Sequence, residues 1–285
     1  MDNRKQLYQQ RSISMCIENT FDFVRVNISS WLFVSALLLL IPSIVLAYMF
    51  TKCHFDVQSD EEGMISTFFQ YYSYLPLIPI FLSLWASALT SYTLMTAYFD
   101  GRLPGKRLSL KETWKYMQDK VWKTLILTIL AAIFIFPITQ HVVFFLLATI
   151  IGVPLLLLAP TWIVEENSFS NAVSEAFRRG FTSWFKLFLM VLLIILLCLM
   201  MMMSVTLPWS LYELLIENVW IPSGLTASSV FLIQIIELLL TALFFYVFFL
   251  MTSVIVLSCV FFYGSASESI DDITMENDIE NFENL

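Results

Sequence analysis

Residues 124–164 read TLILTILAAIFIFPITQHVVFFLLATIIGVPLLLLAPTWIV, forty-one positions without Asp, Glu, Lys or Arg. A helix needs about 20 apolar residues to cross ~30 Å of hydrocarbon, so this stretch is long enough for two crossings. Pro137-Ile138-Thr139-Gln140-His141 interrupts it near the middle. The spacing therefore predicts spans at Thr124–Ile138 and His141–Val164, joined by a very short turn. Working outward, Trp31–Phe50 and Tyr74–Tyr98 are further spans on the N-terminal side, and Leu187–Leu207, ended by Pro208, follows on the other. Val230–Tyr263 is the last apolar segment. At 1.5 Å per residue it would reach ~51 Å, so it must tilt, break or extend beyond the bilayer. The fold class expected is all-α: a polytopic bundle of six transmembrane helices.

Composition agrees. Hydrophobic residues make up 59% and charged residues 13% of the 285, where soluble domains average about 45–50% and about 25%. The mean hydropathy is +0.78. The net charge of −8 is concentrated at the C-terminus: residues 264–285 hold seven acids and no Lys or Arg. The remainder is nearly neutral, which argues against a nucleic-acid partner, since phosphate binding needs a basic surface. The four cysteines are scattered without a C-x-x-C pair, so no structural disulfide is expected. No signal peptide is expected either, because a polar amphipathic stretch precedes the first apolar run.

Orientation follows from the distribution of Lys and Arg. With the N-terminus inside, fourteen of the fifteen basic residues fall on the cytoplasmic side and only Lys52 outside. This predicts a multi-pass protein of a cytoplasmic (inner) membrane with both termini in the cytoplasm.

Three segments are helical by period but too charged to cross. Ile13, Ile17, Phe21, Val24 and Ile28 form one apolar stripe, Leu110, Trp114, Met117 and Val121 a second, and Phe169, Val173, Ala176, Phe177 and Phe181 a third. Ser109 and Glu112 have capping-box spacing. Each segment approaches a tryptophan, Trp31, Trp122 or Trp184, a side chain favoured at membrane boundaries. The pattern suggests three amphipathic in-plane cytoplasmic helices. It also suggests a threefold helical-hairpin repeat over 13–98, 109–164 and 169–263, one membrane domain followed by an acidic tail at 264–285.

Residues Pro160–Glu165 (PTWIVE), Asn167–Phe177 (NSFSNAVSEAF) and Gly180 through Trp184-Phe185-Lys186 resemble a large group of uncharacterised bacterial six-span membrane proteins. That group includes the membrane domain fused to some glycerophosphodiester phosphodiesterases. The end of the chain, Phe262-Tyr263-Gly264 onward to NFENL at 281–285, is similar to members from Bacteroides-type bacteria. The resemblance implies the six-span fold. The phosphodiesterase domain of the fused relatives has no counterpart in these 285 residues, so that activity does not carry over.

Candidate chemistry is sparse. Glu237 is the only acid well inside an apolar segment, with Gln234 close before it. An intramembrane carboxyl usually faces a bundle interior or watery cavity, and the excess length of this segment places Glu237 more simply near the outer headgroups. Ser83, Ser87, Thr90 and Ser91 share one side of the second span, read either as close helix packing or as a hydroxyl-lined path. Glu165-Glu166 reads as an acidic first turn suited to a helix dipole. In the Glu-Glu-x-x-x-Arg pattern of some intramembrane proteases, the Arg position is here Ser170. Met200–Met203 point about 100° apart on a helix, which argues against a thioether metal site, and His54 and His141 lack an evident third ligand. Pro42, Pro76, Pro79, Pro137, Pro154 and Pro160 interrupt or flank spans, as in transporters with broken helices but also as in membrane helices generally. No phosphate-cradling, zinc-protease, nucleophile-elbow or redox motif occurs, and neither a cofactor nor a metal set is read.

Two surfaces suit partners. The loop bearing Arg102, Lys106, Arg107, Lys111 and Lys115 suits anionic inner-leaflet lipids. The acidic tail could dock on that loop or on another protein. The expected function is a non-enzymatic accessory or scaffold protein. A transporter or channel for a small or amphiphilic solute is the alternative, and a lipid-modifying membrane enzyme comes third.

Overall fold

The computed structural model describes residues 7–56, 72, 74–101, 103, 108–138, 142–165, 168–215 and 227–271. All regular structure among them is helical: α1 (Ile13–Val26), α2 (Ile28–Asp56), α3 (Leu77–Phe99), α4 (Leu110–Gln118), α5 (Val121–Ile138), α6 (Val142–Leu155), α7 (Leu158–Ile163), α8 (Phe169–Thr182), α9 (Trp184–Leu215) and α10 (Ala227–Asp271). Four of these are long and apolar enough to cross a membrane by length and composition: Ile28–Cys53, Leu77–Phe99, Trp184–Tyr212 and Phe231–Asp271.

The 124–164 stretch departs from a simple pair of spans. Its first half is one helix, α5, of 18 residues. Its second half divides into the 14-residue α6 and the 6-residue α7. Pro154 sits inside α6 and has no N–H to give the ladder. Directly after it the turn tightens, with Leu156 N donating to both Gly152 O and Val153 O and Leu157 N donating to Pro154 O. The turn expected at Thr139-Gln140-His141 lies outside the described residues.

Two predicted ends move. Pro208 does not stop α9, which runs on to Leu215. Pro208 leaves the Ser204 carbonyl without its i+4 N–H donor, a local loss that membrane-type helices tolerate. The last segment neither breaks nor ends at Tyr263: α10 is a continuous helix of 45 residues, ~68 Å at 1.5 Å per residue. The first eight residues assigned to the tail are therefore helical, and Ser265, Ala266 and Ser267 are buried. Gly264 explains how. The N-terminal segment crosses α10 so closely that a Cβ there would overlap the Leu7 carbonyl, and the Arg11 N–H donates to Ser265 Oγ at 2.8 Å. Residues 272–285 lie outside the described residues.

The chain divides into two compact units. Unit one comprises Met1–Val34, Ala88–Ile195 and Ser253–Leu285. In it Phe23 packs edge-on against Tyr98 and Phe261, with ring centroids 5.3 and 6.0 Å away. Trp31 is buried, its Nε1 donating to Ser253 Oγ at 2.9 Å. Unit two comprises Ser35–Ser87 and Leu196–Thr252. Its core gathers Leu39, Leu46, Met49 and Cys53 of α2, Ala86 of α3 and Phe249 of α10.

The three amphipathic segments in unit one are helices α1, α4 and α8, and each begins at a serine in extended conformation. The hydroxyls of Ser12, Ser109 and Ser168 accept from the backbone N–H of Met15, Glu112 and Asn171, satisfying N–H groups that a helix start leaves open. Ser109 and Glu112 complete the predicted capping box. In α1 the buried residues are Cys16, Thr20, Phe23 and Val24, in α4 Thr113, Tyr116 and Met117, and in α8 Ala172, Ala176, Arg179 and Gly180. In α4 and α8 part of the apolar stripe stays open: Leu110, Trp114, Phe169 and Phe181 are exposed. Consecutive helical positions differ by about 100°, so in α1 and α8 the protein-facing side is turned by roughly a quarter of the circle from the apolar stripe. Small and mid-sized residues allow the close approach. At Gly180 a Cβ would lie 2.6 Å from Pro154 Cα, so only a glycine lets α8 lie against α6 there.

Candidate functional site

The densest polar constellation among the described residues is built around Arg179. It stands seven residues after Ala172 and three after Ala176, which on a helix is one face, and that face is the one α8 buries. Arg179 is 5% exposed. Its Nε donates to Asp271 Oδ2 at 2.8 Å and its Nη1 to Glu165 Oε1 at 3.2 Å. Nη1 also donates to the Tyr263 hydroxyl, and the guanidinium lies 5.2 Å from that ring's centroid. Glu175 stands 3.4 Å from Nε. The exposed neighbour Arg178 pairs with Glu175 at 2.7 Å and with Asp271 Oδ1 at 2.6 Å.

Two arginines thus meet three carboxylates. Taking a guanidinium out of water is strongly unfavourable unless the geometry is good and its donors are filled. Burial alone would lower the Arg179 pKa; Tyr263, Glu165, Asp271 and Glu175 outweigh it and leave the group above its ordinary value. Arg178 is raised as well, by its hydrogen bonds to Glu175 and Asp271. The cation is locked on, and one forked side chain ties the end of α10, the segment after α7 and α8 together. Planar, multi-donor recognition of this kind is what Arg supplies and Lys does not. The cluster is a clamp, and its one hydroxyl, that of Tyr263, accepts from Arg179 Nη1.

The predicted positions fall elsewhere. Glu165 is a partner of Arg179 rather than a free first-turn acid; Glu166 lies outside the described residues. Glu237 is not at the surface but 1% exposed. It shares a face of α10 with Ile233 and Thr241, also buried. Gln234 lines a separate cavity of about 260 Å³ with Tyr48, Thr51, Lys52 and Phe231.

On α3, Ser83, Ser87, Thr90 and Ser91 are all buried. Ser83 Oγ donates to Pro79 O at 2.8 Å, Ser87 Oγ to Ser83 O at 2.8 Å and to Phe249 O at 2.7 Å, and Ser91 Oγ to Ser253 O at 2.8 Å. These three hydroxyls are engaged with backbone. Lys111 and Lys115 are exposed on α4, while Arg102, Lys106 and Arg107 lie outside the described residues. Met200, Met201 and Met203 are exposed and Met202 is buried, so they do not converge. His54 lies near the end of α2, and His141 lies outside the described residues.

The Arg179 clamp was not foreseen. Its signal was available in part, since Arg179 falls at the spacing of Ala172 and Ala176, but its partner Asp271 is 92 residues away. No protein family, curated protein or solved structure matches this chain.

Proposed function

We propose that this chain is an integral inner-membrane protein of six spans that serves as an accessory or scaffold protein, its cytoplasmic face made by α1, α4 and α8. The observation that carries this reading is the outward set of Leu110, Trp114, Phe169 and Phe181 on helices whose packed faces hold smaller or polar residues. Such faces suit the boundary between headgroups and acyl chains. In this reading α5 is the third crossing, α6 with α7 the fourth, and the three Ser-capped helices open three repeats. Both termini are cytoplasmic by the Lys/Arg distribution. Membership of the bacterial six-span group is part of the same proposal and rests on the quoted PTWIVE and NSFSNAVSEAF segments.

The Arg179 clamp supports a rigid platform rather than a reaction centre. Detergent-free extraction of the full chain from native membranes, followed by identification of bound proteins and lipids, tests the role. A stoichiometric protein partner, lost when Lys111 and Lys115 are both changed to Glu while membrane insertion persists, is the expected result. A retained small solute with no protein partner would overturn it.

A transporter is the second reading, and the burial of Glu237 favours it. Solute flux in reconstituted vesicles that Glu237→Gln abolishes would select it.

A further inference from the structure

Within unit one, α5, α6, α7 and α9 enclose a groove of about 400 Å³, within the range of small-ligand sites. Its walls are apolar, among them Leu127, Ala131, Leu156, Phe188 and Leu192, with the Thr149 hydroxyl the lone polar side-chain group. Leu156 and Leu192 are exposed, so the groove opens at the surface. An apolar space that opens at the surface of a membrane protein matches a hydrocarbon chain.

One end is chemically distinct. Lys123 lies one turn before Leu127 on α5, and Trp162 one turn after Leu158, so both stand on groove-lining faces. Lys123 Nζ donates to Trp162 O at 3.2 Å and sits 5.9 Å from the Trp162 ring. Trp162 in turn packs edge-on against Phe169, with centroids 4.9 Å apart. An ammonium has three donors, and the described partners of Lys123 are both on Trp162, with no carboxylate. A cation held by an aromatic at the mouth of an apolar groove is complementary to a phosphate on an acyl chain.

We infer that this groove is a binding site for an anionic phospholipid of the cytoplasmic leaflet, one acyl chain lying between α5, α6 and α9 and the phosphate meeting Lys123. The inference rests on the membrane reading but not on the scaffold role. Gly152 offers a clean test, because it lines the groove and a Cβ added there meets no atom within 4 Å. Gly152→Phe puts a ring on a groove-lining position whose Cβ is unobstructed.

The full chain is reconstituted into nanodiscs of equal phosphatidylglycerol and phosphatidylcholine, then released, and the co-released lipid is measured by native mass spectrometry. Wild type is expected to retain phosphatidylglycerol over phosphatidylcholine by about fivefold, the effect of one basic side chain near an anionic lipid. Lys123→Gln should keep a bound lipid but lose the preference, Gly152→Phe should lose the bound lipid, and Arg25→Gln, at an exposed base on α1, should change neither. Equal retention of both lipids by wild type would overturn the site, as would unchanged preference in Lys123→Gln or unchanged binding in Gly152→Phe. Failure to insert into nanodiscs at all would instead overturn the membrane reading.

Discussion

Helices α1 and α8 are built on the same plan and held by opposite chemistry. Each is 14 residues long, starts at a serine cap and ends at a polar residue with nearly the same backbone angles, φ −108° and ψ 18° at Asn27, φ −110° and ψ 18° at Ser183. Their buried positions correspond one for one at an offset of 156 residues: Cys16 with Ala172, Thr20 with Ala176, Phe23 with Arg179 and Val24 with Gly180. At the third of these, α1 places an aromatic ring between Tyr98 and Phe261, whereas α8 places a guanidinium among Glu165, Asp271 and Tyr263. One backbone device therefore accepts either glue. The aromatic version needs only volume and tolerates approximate replacement, while the ionic version needs every partner present.

That contrast can be broken most strongly at Arg179. Arg179→Ala removes the one donor shared by Glu165, Asp271 and the Tyr263 hydroxyl, and should cost about 3–5 kcal/mol, read as a lowered unfolding midpoint in nanodiscs. Adding Glu165→Gln and Asp271→Asn to Arg179→Met should recover most of the loss. If it does not, the cluster is more than a charge-compensated clamp. Phe23→Leu, by comparison, is predicted to cost less than about 1.5 kcal/mol, as near-isosteric apolar exchanges do; a larger loss would erase the difference between the helices.

Close approach is the next term. Gly180→Ala pushes a Cβ into Pro154 and should cost about 1–3 kcal/mol, with Gly264→Ala comparable through its overlap with the Leu7 carbonyl. The caps follow. Ser12→Ala and Ser168→Ala should each cost about 1 kcal/mol, and unequal losses would break the equivalence of the two starts.

The smallest effect is chemical. Burial pushes the Cys16 thiol up to about 11, against a weaker opposing pull from Arg11. At pH 8 it stays protonated and should alkylate slowly, with the rate climbing as pH approaches that value. Ala172→Cys, at the equivalent place, should behave the same way. Fast labelling of either would show that its helix face opens.

Much of this was legible without coordinates. The apolar runs, the helical class, the capping box at Ser109 and Glu112 and the presence of three amphipathic segments all follow from local rules: spacing, side-chain polarity and the missing N–H of proline. Where those rules were pressed further, they misplaced features. The apolar stripe of each amphipathic helix does not say which residues pack on protein: Trp114 and Phe181 stay exposed, while Ala172, Ala176 and Gly180 are buried. Close packing then selects the small residues. Pro208 reads as a stop because its missing N–H is a local signal, and Tyr263 reads as the end of a helix because the seat of Leu7 on Gly264 is not a property of one segment.

The sequence by itself therefore determined that the chain is helical and apolar enough for membrane, because hydrophobic run length and Lys/Arg placement are sums over local residues. Only the tertiary structure decided that Arg179 is buried, that Asp271 belongs to a packed helix rather than a solvated tail, and that Glu237 faces inward. Each of those depends on what a distant segment brings to the same few ångströms, and for a charge that neighbour decides whether burial is prohibitive or stabilising.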